Sequence, residues 1–117
     1  MESHNIFVKS DISLDEFAIF FRKICNIGIK NVTTFQLSQK RYGENYGGDY
    51  YLFESLGMEF YLVHNKGEML EDEFEKYPYY LILNINEFSL NGFGLSITQY
   101  IRCYLASHGV ESEINSI

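Results

Sequence analysis

The chain has 117 residues, of which 46% are hydrophobic and 21% charged, and its net charge is −7. These values are typical of one globular domain and exclude the disordered and fibrous classes of protein. No run approaches the roughly 20 apolar residues of a membrane span, and the first residues lack the basic and apolar stretches of an export signal. We therefore expect a single domain over residues 1–117, located in the cytoplasm.

A first helix is predicted over residues 14–26. Ser13 and Glu16 have the spacing of a capping box, which satisfies free amides at the start of a helix. Apolar residues then recur at helical spacing, and we expect the face that they form to be buried. This face comprises Leu14, Phe17, Ala18, Phe21, Ile24 and Cys25.

Strands are predicted from short runs rich in aromatic and β-branched residues. They cover residues 5–9, 31–39, 50–54, 58–64, 79–86 and 110–114. The runs around Val63 and Leu83 have apolar residues on each side, which indicates central strands. A short hairpin connection at residues 55–57 joins two of these strands.

Two polar segments separate the strands. Residues 41–49 are rich in glycine and are predicted to form a mobile, exposed loop. Residues 67–76 carry five acids and precede Pro78, and they are compatible with either a short helix or an acidic loop.

A second helix is predicted over residues 97–107. Ser96 and Gln99 again have capping-box spacing, and Gly109 is expected to end the helix. Its predicted apolar face comprises Ile97, Tyr100, Ile101, Tyr104 and Leu105. The element order is then β-α-β-β-β-β-α-β, which predicts an α+β fold with a mainly antiparallel sheet of five to six strands and two helices on one face.

The two cysteines, Cys25 and Cys103, are too few for a disulfide framework or a zinc site, and both fall in predicted helices. We expect two buried, reduced side chains, as is usual for unpaired cysteine. A disulfide between the two helices stays open as an alternative, because sequence spacing does not fix the distance between them.

No motif specific to a reaction occurs in the chain. The three histidines lie on separate elements without metal-ligand spacing. His64 and Glu68 are candidates for a general-base pair, although a strand-end histidine bonded to a local carboxylate is the commoner arrangement. The glycines of residues 91–96 match only part of a phosphate-binding pattern, which a turn and a helix start explain. We expect no catalytic residue, no metal and no cofactor, and hence a protein that is not an enzyme.

The negative charge is concentrated in the middle of the chain. Residues 44–87 contain ten acids and two bases, a net charge of −8, whereas the remaining residues sum to +1. Such a field disfavours nucleic acid and favours a basic protein partner, although acidity also serves solubility. Eight of the ten tyrosines fall between residues 42 and 80. They favour either a protein interface or a sheet face stabilised by cross-strand packing.

A small, acidic, Tyr- and Phe-rich α+β chain with acids concentrated at residues 68–75 resembles the immunity proteins of bacterial polymorphic and contact-dependent inhibition toxins. The resemblance covers the general character of the chain. It implies a cytoplasmic protein that neutralises one cognate toxin domain, often a basic nuclease, by covering its active site.

The predicted partner-binding residues combine the acidic segment with the glycine-rich one, and neither nucleic acid nor a membrane is expected as a direct partner. They are Glu68, Glu71, Asp72, Glu73, Glu75 and Tyr77, together with Tyr46 and Asp49. Two alternatives stay open. One is a ligand-binding regulator or enzyme with a pocket between the sheet and the helices, and the other is a nucleic-acid-mimicking antagonist from a phage or mobile element.

Overall fold

The computed structural model describes residues 2–24, 40–55, 58–85 and 92–116. In chain order, its elements are β1 (Glu2–Lys9), α1 (Leu14–Ile24), β2 (Lys40–Gly43), β3 (Gly48–Ser55), β4 (Met58–His64), β5 (Tyr79–Ile85), α2 (Gly94–Ser107) and β6 (Glu111–Ser116). The predicted α+β class and element order are confirmed. The strand predicted over residues 31–39 lies outside the described residues. No helix in the described ranges is long and apolar enough to cross a membrane.

The strands form one six-stranded sheet in the order β2-β3-β4-β5-β1-β6. Each neighbouring pair is antiparallel. The central position predicted for the strands around Val63 and Leu83 is confirmed, because β4 and β5 occupy the middle of the sheet.

One face of the sheet packs against both helices and forms the main core. α1 contributes Phe17 and Phe21, and α2 contributes Ile101 and Leu105. Strand side chains alternate between the two faces of a sheet, so every second strand residue joins this core. Those residues are Ile6, Val8, Tyr51, Phe53, Phe60, Leu62, Tyr79, Leu81, Leu83 and Ile85. The two helices of the described ranges, α1 and α2, therefore lie on one face, as predicted.

The opposite face holds a second and smaller buried cluster. Phe7, Val63, Tyr77 and Tyr80 are buried there. Half-buried aromatic and apolar side chains from the glycine-rich and acidic segments pack around them. Among the described residues, this face is therefore covered by the glycine-rich and acidic segments rather than by α1 or α2.

The start of α1 follows the predicted cap. The amide of Glu16 donates to Oγ of Ser13 at 3.1 Å, and the Ser13 hydroxyl donates to the Glu16 carboxylate at 3.1 Å. Two acids in the first turn, Asp15 and Glu16, also complement the positive end of the helix dipole.

α2 begins earlier than predicted. Its first residue is Gly94, and the capping position is Phe93, which offers no side-chain hydrogen bond. The capping box predicted at Ser96 and Gln99 is wrong because both residues lie inside the helix. At the other end the prediction is confirmed. Gly109 has a φ of 82°, and it closes the helix with its amide bonded to a carbonyl of the last turn.

Two side chains of α2 lie on the solvent side, contrary to expectation. Tyr100 and Cys103 are both exposed. The buried positions of this helix are Gly94, Thr98, Ile101 and Leu105. Because α2 turns this narrow stripe towards the sheet, Cys103 falls on the far side, and the prediction that it is buried is wrong. Cys25 lies outside the described residues.

The glycine-rich segment is more regular than predicted. Residues 41–49 form the end of β2, a 3₁₀ turn at Glu44–Tyr46 and the start of β3. Tyr42 pairs with Asp49, and Gly43 pairs with Gly48. The prediction of a loop here is wrong because the glycines supply the positive φ angles of a hairpin turn, 78° at Gly47 and 112° at Gly48.

Candidate functional site

The acidic segment, residues 67–76, lies on the sheet face opposite the helices. It contains two 3₁₀ turns, Gly67–Met69 and Asp72–Phe74. The ring of Phe74 stacks on the ring of Phe7, with centroids 4.2 Å apart and planes at 8°. Met69 also packs against the buried cluster of this face. The segment is therefore attached to the sheet through its apolar side chains.

Asn65 holds the backbone of the acidic segment in place. Its side chain is buried, with 8% of its surface exposed. Nδ2 donates to the carbonyls of Phe74 and Tyr77, both at 2.9 Å, and Oδ1 accepts from the amide of Glu71 at 2.8 Å. Two of these bonds reach the segment and the third reaches Tyr77 directly after it, so one carboxamide next to the end of β4 fixes the path of the segment.

Two buried tyrosines also hold the segment, one through a bond to its first turn and the other directly after its last residue. The hydroxyl of Tyr80 donates to the carbonyl of Met69 at 2.8 Å, and that of Tyr77 donates to the Glu113 carboxylate at 2.7 Å. The bond to Glu113, with burial, raises the pKa of Tyr77 to about 12. Burial, with the charge of Glu71, raises the pKa of Tyr80 to about 12. Both phenols are therefore protonated near neutral pH and act as donors.

The carboxylates of the acidic segment point away from these anchors. Glu68, Asp72, Glu73 and Glu75 are exposed, and Glu71 is half-buried. Within the described ranges, none of the five forms a salt bridge with a basic side chain. The segment thus folds through its backbone and apolar groups and leaves its charge available to a partner.

Two further acids join this charge from a distant part of the sequence. Glu113 of β6 pairs with Phe7 of β1, and its bond to Tyr77 places it beside the acidic segment. Glu111 lies two residues earlier on the same face of β6, where it forms an exposed salt bridge with Lys9 at 3.6 Å, and its charge also raises the pKa of Tyr77. We call these seven carboxylates the acidic surface: Glu68, Glu71, Asp72, Glu73, Glu75, Glu111 and Glu113.

Tyr77 and Tyr46, which the sequence predicts as partner-binding residues, are not exposed like the carboxylates. Tyr77 is 4% exposed, so its side chain supports the segment from beneath. Tyr46 is half-buried and stacks on Tyr50 and Tyr61, with centroids 4.3 and 5.8 Å away. Its turn lies against Gly67–Met69, so the two predicted segments do come together. Tyr46, Tyr50 and Tyr61 therefore pack on one another and on the buried cluster of this sheet face.

Asp49 faces the helix side of the sheet, away from the acidic surface. Lys40 connects it to α1, with Nζ 3.1 Å from Asp15 and 3.7 Å from Asp49. The Tyr51 hydroxyl also donates to Asp15, at 2.7 Å. This bond, followed by the bond from Lys40, lowers the pKa of Asp15 despite the opposing effect of burial.

His64 stands next to this group at the end of β4. Burial lowers its pKa, and the charge of Lys66 lowers it further, while Asp49 and Asp15 oppose the shift. Among the described side chains, no hydrogen bond or ion pair joins His64 to Glu68. The general-base pair considered from the sequence is therefore not formed. The described ranges also contain no group of three or more His, Cys, Asp or Glu residues arranged to hold a metal ion.

Comparison of the chain with protein-family models, with curated proteins and with solved structures gives no match.

Proposed function

We propose that this chain is a binding protein that neutralises a basic, nuclease-type bacterial toxin by covering its active site with the acidic surface. The observation that carries the proposal is the support beneath the carboxylates. Hydrogen bonds from Asn65 and the stack of Phe74 on Phe7 hold the acidic segment, and in the described ranges none of its five carboxylates forms a salt bridge with a basic side chain.

A surface built in this way suits a basic partner for two physical reasons. Complementary charge steers the encounter and raises the association rate, more so at low salt. A segment that is already fixed on the sheet loses little conformational entropy when it is bound, so more of the interaction energy appears as affinity. A nuclease suits this surface because its active site carries positive charge that attracts phosphate. An acidic surface competes for the same groups.

The first test is capture of the partner and measurement of its affinity. The chain is used as bait in a lysate of its host, the captured protein is identified by mass spectrometry, and the purified pair is titrated at two salt concentrations. We expect one stoichiometric basic protein, an association rate that falls with salt, and loss of the captured protein's toxicity on co-expression.

Charge reversal then locates the surface. Asp72→Lys should weaken the complex at least about tenfold, and combined reversal of Glu71, Asp72 and Glu73 should weaken it at least about 100-fold. Asp11→Lys is the matched control, because Asp11 is also exposed, lies before α1, and gives the same change in net charge when it is replaced by lysine. If Asp72→Lys and Asp11→Lys weaken the complex equally, net charge alone explains the loss of affinity, and a specific acidic surface is refuted.

A further inference from the structure

An open cleft lies at the tip of the β2–β3 hairpin, outside the acidic surface. Its volume is about 500 Å³, and it is lined by Tyr42, Glu44 and Asp49 of the hairpin, by His64 at the end of β4 and by Lys66 after it. This volume is ample for one long side chain of a partner.

The floor of the cleft is backbone, because the hairpin tip and the chain after β4 approach closely. A Cβ atom at Gly47 would lie 3.1 Å from the carbonyl oxygen of His64 and 3.2 Å from that of Lys66. Only glycine allows this approach at a φ of 78°. The cleft is therefore a fixed feature of the hairpin.

An aromatic ring and a carboxylate stand side by side at one wall. Tyr42 is 71% exposed, which is unusual for so large a side chain in a strand. It pairs directly with Asp49 across β2 and β3, so the two side chains share one face and lie within contact distance. An exposed ring beside a carboxylate can bind a planar cation through stacking and hydrogen bonds together.

The charges of the cleft select a cation rather than an anion. Asp49 and Glu44 are both exposed acids, whereas Lys66 is the one basic side chain in the lining. Lys40 lies closer to Asp15 than to Asp49, at 3.1 against 3.7 Å, so Asp49 keeps capacity for a second donor. The lowered pKa of His64 leaves its imidazole largely neutral at pH 7, so it adds little positive charge.

We propose that this cleft binds an arginine side chain of the basic partner, with the guanidinium stacked on Tyr42 and hydrogen-bonded to the Asp49 carboxylate, and with Glu44 adding a second negative charge. This assignment rests on the proposed function, since it supplies an anchor for the same partner. Arginine fits better than lysine, because a planar guanidinium stacks flat on a ring and matches both oxygens of a carboxylate with a fixed fork of donors, whereas an ammonium is a compact charge without a plane or a fork.

The assignment is tested by NMR titration of the whole chain with N-acetyl-arginine-methylamide and with the lysine analogue. We expect amide shifts centred on Tyr42, Gly48 and Asp49, and binding of the arginine compound at least about fivefold tighter than that of the lysine compound. Tyr42→Ala and Asp49→Asn should each weaken arginine binding at least about fivefold. Tyr100→Ala is the control, because Tyr100 is similarly exposed on α2.

Shifts centred elsewhere, or equal binding of the two compounds, would overturn the assignment. The partner complex separates this failure from failure of the proposed function. If Asp72→Lys weakens the complex while Tyr42→Ala and Asp49→Asn do not, the acidic surface stands and the arginine cleft is refuted. If none of the three variants weakens it, both are refuted. Thermal unfolding of each variant verifies that it is folded.

Discussion

Asn65→Ala is the substitution that should most directly release the acidic segment. It removes three hydrogen bonds of 2.8–2.9 Å, and it leaves the carbonyls of Phe74 and Tyr77 and the amide of Glu71 without this partner. A hydrogen bond contributes about 1 kcal/mol net, and a buried group left unsatisfied costs somewhat more. We therefore expect a loss of about 2–4 kcal/mol in the free energy of unfolding, a large part of the total for a domain of this size.

Urea unfolding and amide hydrogen exchange together check this expectation. The urea midpoint should fall by about 1–3 M at an unchanged m-value, and exchange should accelerate most at residues 67–77. Asn45→Ala is the matched control, because Asn45 is exposed on the 3₁₀ turn of the hairpin and should change stability by less than about 0.5 kcal/mol. A loss below about 1 kcal/mol for Asn65→Ala, or exchange that is unchanged in the acidic segment, would refute the view that this carboxamide fixes the segment.

Three other perturbations test neighbouring parts of the structure. Tyr77→Phe should lower the free energy of unfolding, measured in urea at pH 7, by about 1–2 kcal/mol. Because the pKa of Tyr77 is raised to about 12 in the folded protein, this stabilisation should be lost as the pH rises from 10 to 12. A difference in stability between Tyr77→Phe and the unchanged protein that persists at pH 12 would contradict the hydrogen bond to Glu113. The pKa of Asp15 is lowered, chiefly by the hydrogen bond from Tyr51, so Asp15 stabilises the fold above pH 3.8 and this stabilisation is lost as the pH falls through its lower folded pKa. Asp15→Asn should therefore make the free energy of unfolding depend less on pH on the acid side. An unchanged pH dependence would argue against this bond. Gly47→Ala should lower the melting temperature more than Gly67→Ala, because both glycines have positive φ but only Gly47 has backbone within 3.2 Å of the added methyl group.

The elements best predicted from the sequence are those whose residues act locally. The capping pair Ser13 and Glu16 sets the start of α1 without help from the rest of the chain. β4 occupies residues 58–64, and β5 begins at residue 79, both as predicted. Both strands lie in the middle of the sheet and have buried side chains on both faces, so their sequences are apolar runs that can be recognised without the structure.

The errors have a common physical cause, which is competition between local signals and tertiary packing. Ser96 and Gln99 have the spacing of a cap, yet α2 extends back to Gly94, where the Thr98 side chain bonds the Gly94 carbonyl at 2.6 Å. The glycines of residues 41–49 indicate a flexible loop when read alone. Cross-strand pairing of Tyr42 with Asp49 makes the same glycines the turn of a hairpin.

The candidate site was predicted in composition but not in arrangement. The five acids of residues 67–76 could be identified as a cluster because they are contiguous in sequence. Glu113 could not, since its bond to Tyr77 spans 36 positions of the chain. Asp49 lies on the sheet face opposite the acidic surface because of the strand alternation in β3 and the position of Lys40. The sequence alone determines neither, since both depend on the pairing of β2 with β3.

The arrangement separates the groups that fold the protein from the groups that we propose bind its partner. In the described ranges α1 and α2 pack on one sheet face, and the other face carries the acidic segment, which hydrogen bonds from Asn65 and the stack of Phe74 on Phe7 hold in place. Asn65, Phe74 and the buried tyrosines determine the path of that segment, and four of its five carboxylates are exposed. Reversing the charge at Asp72 should therefore change affinity with little change in stability, whereas Asn65→Ala should change both. This difference makes the two kinds of substitution independent tests of the surface and of its support.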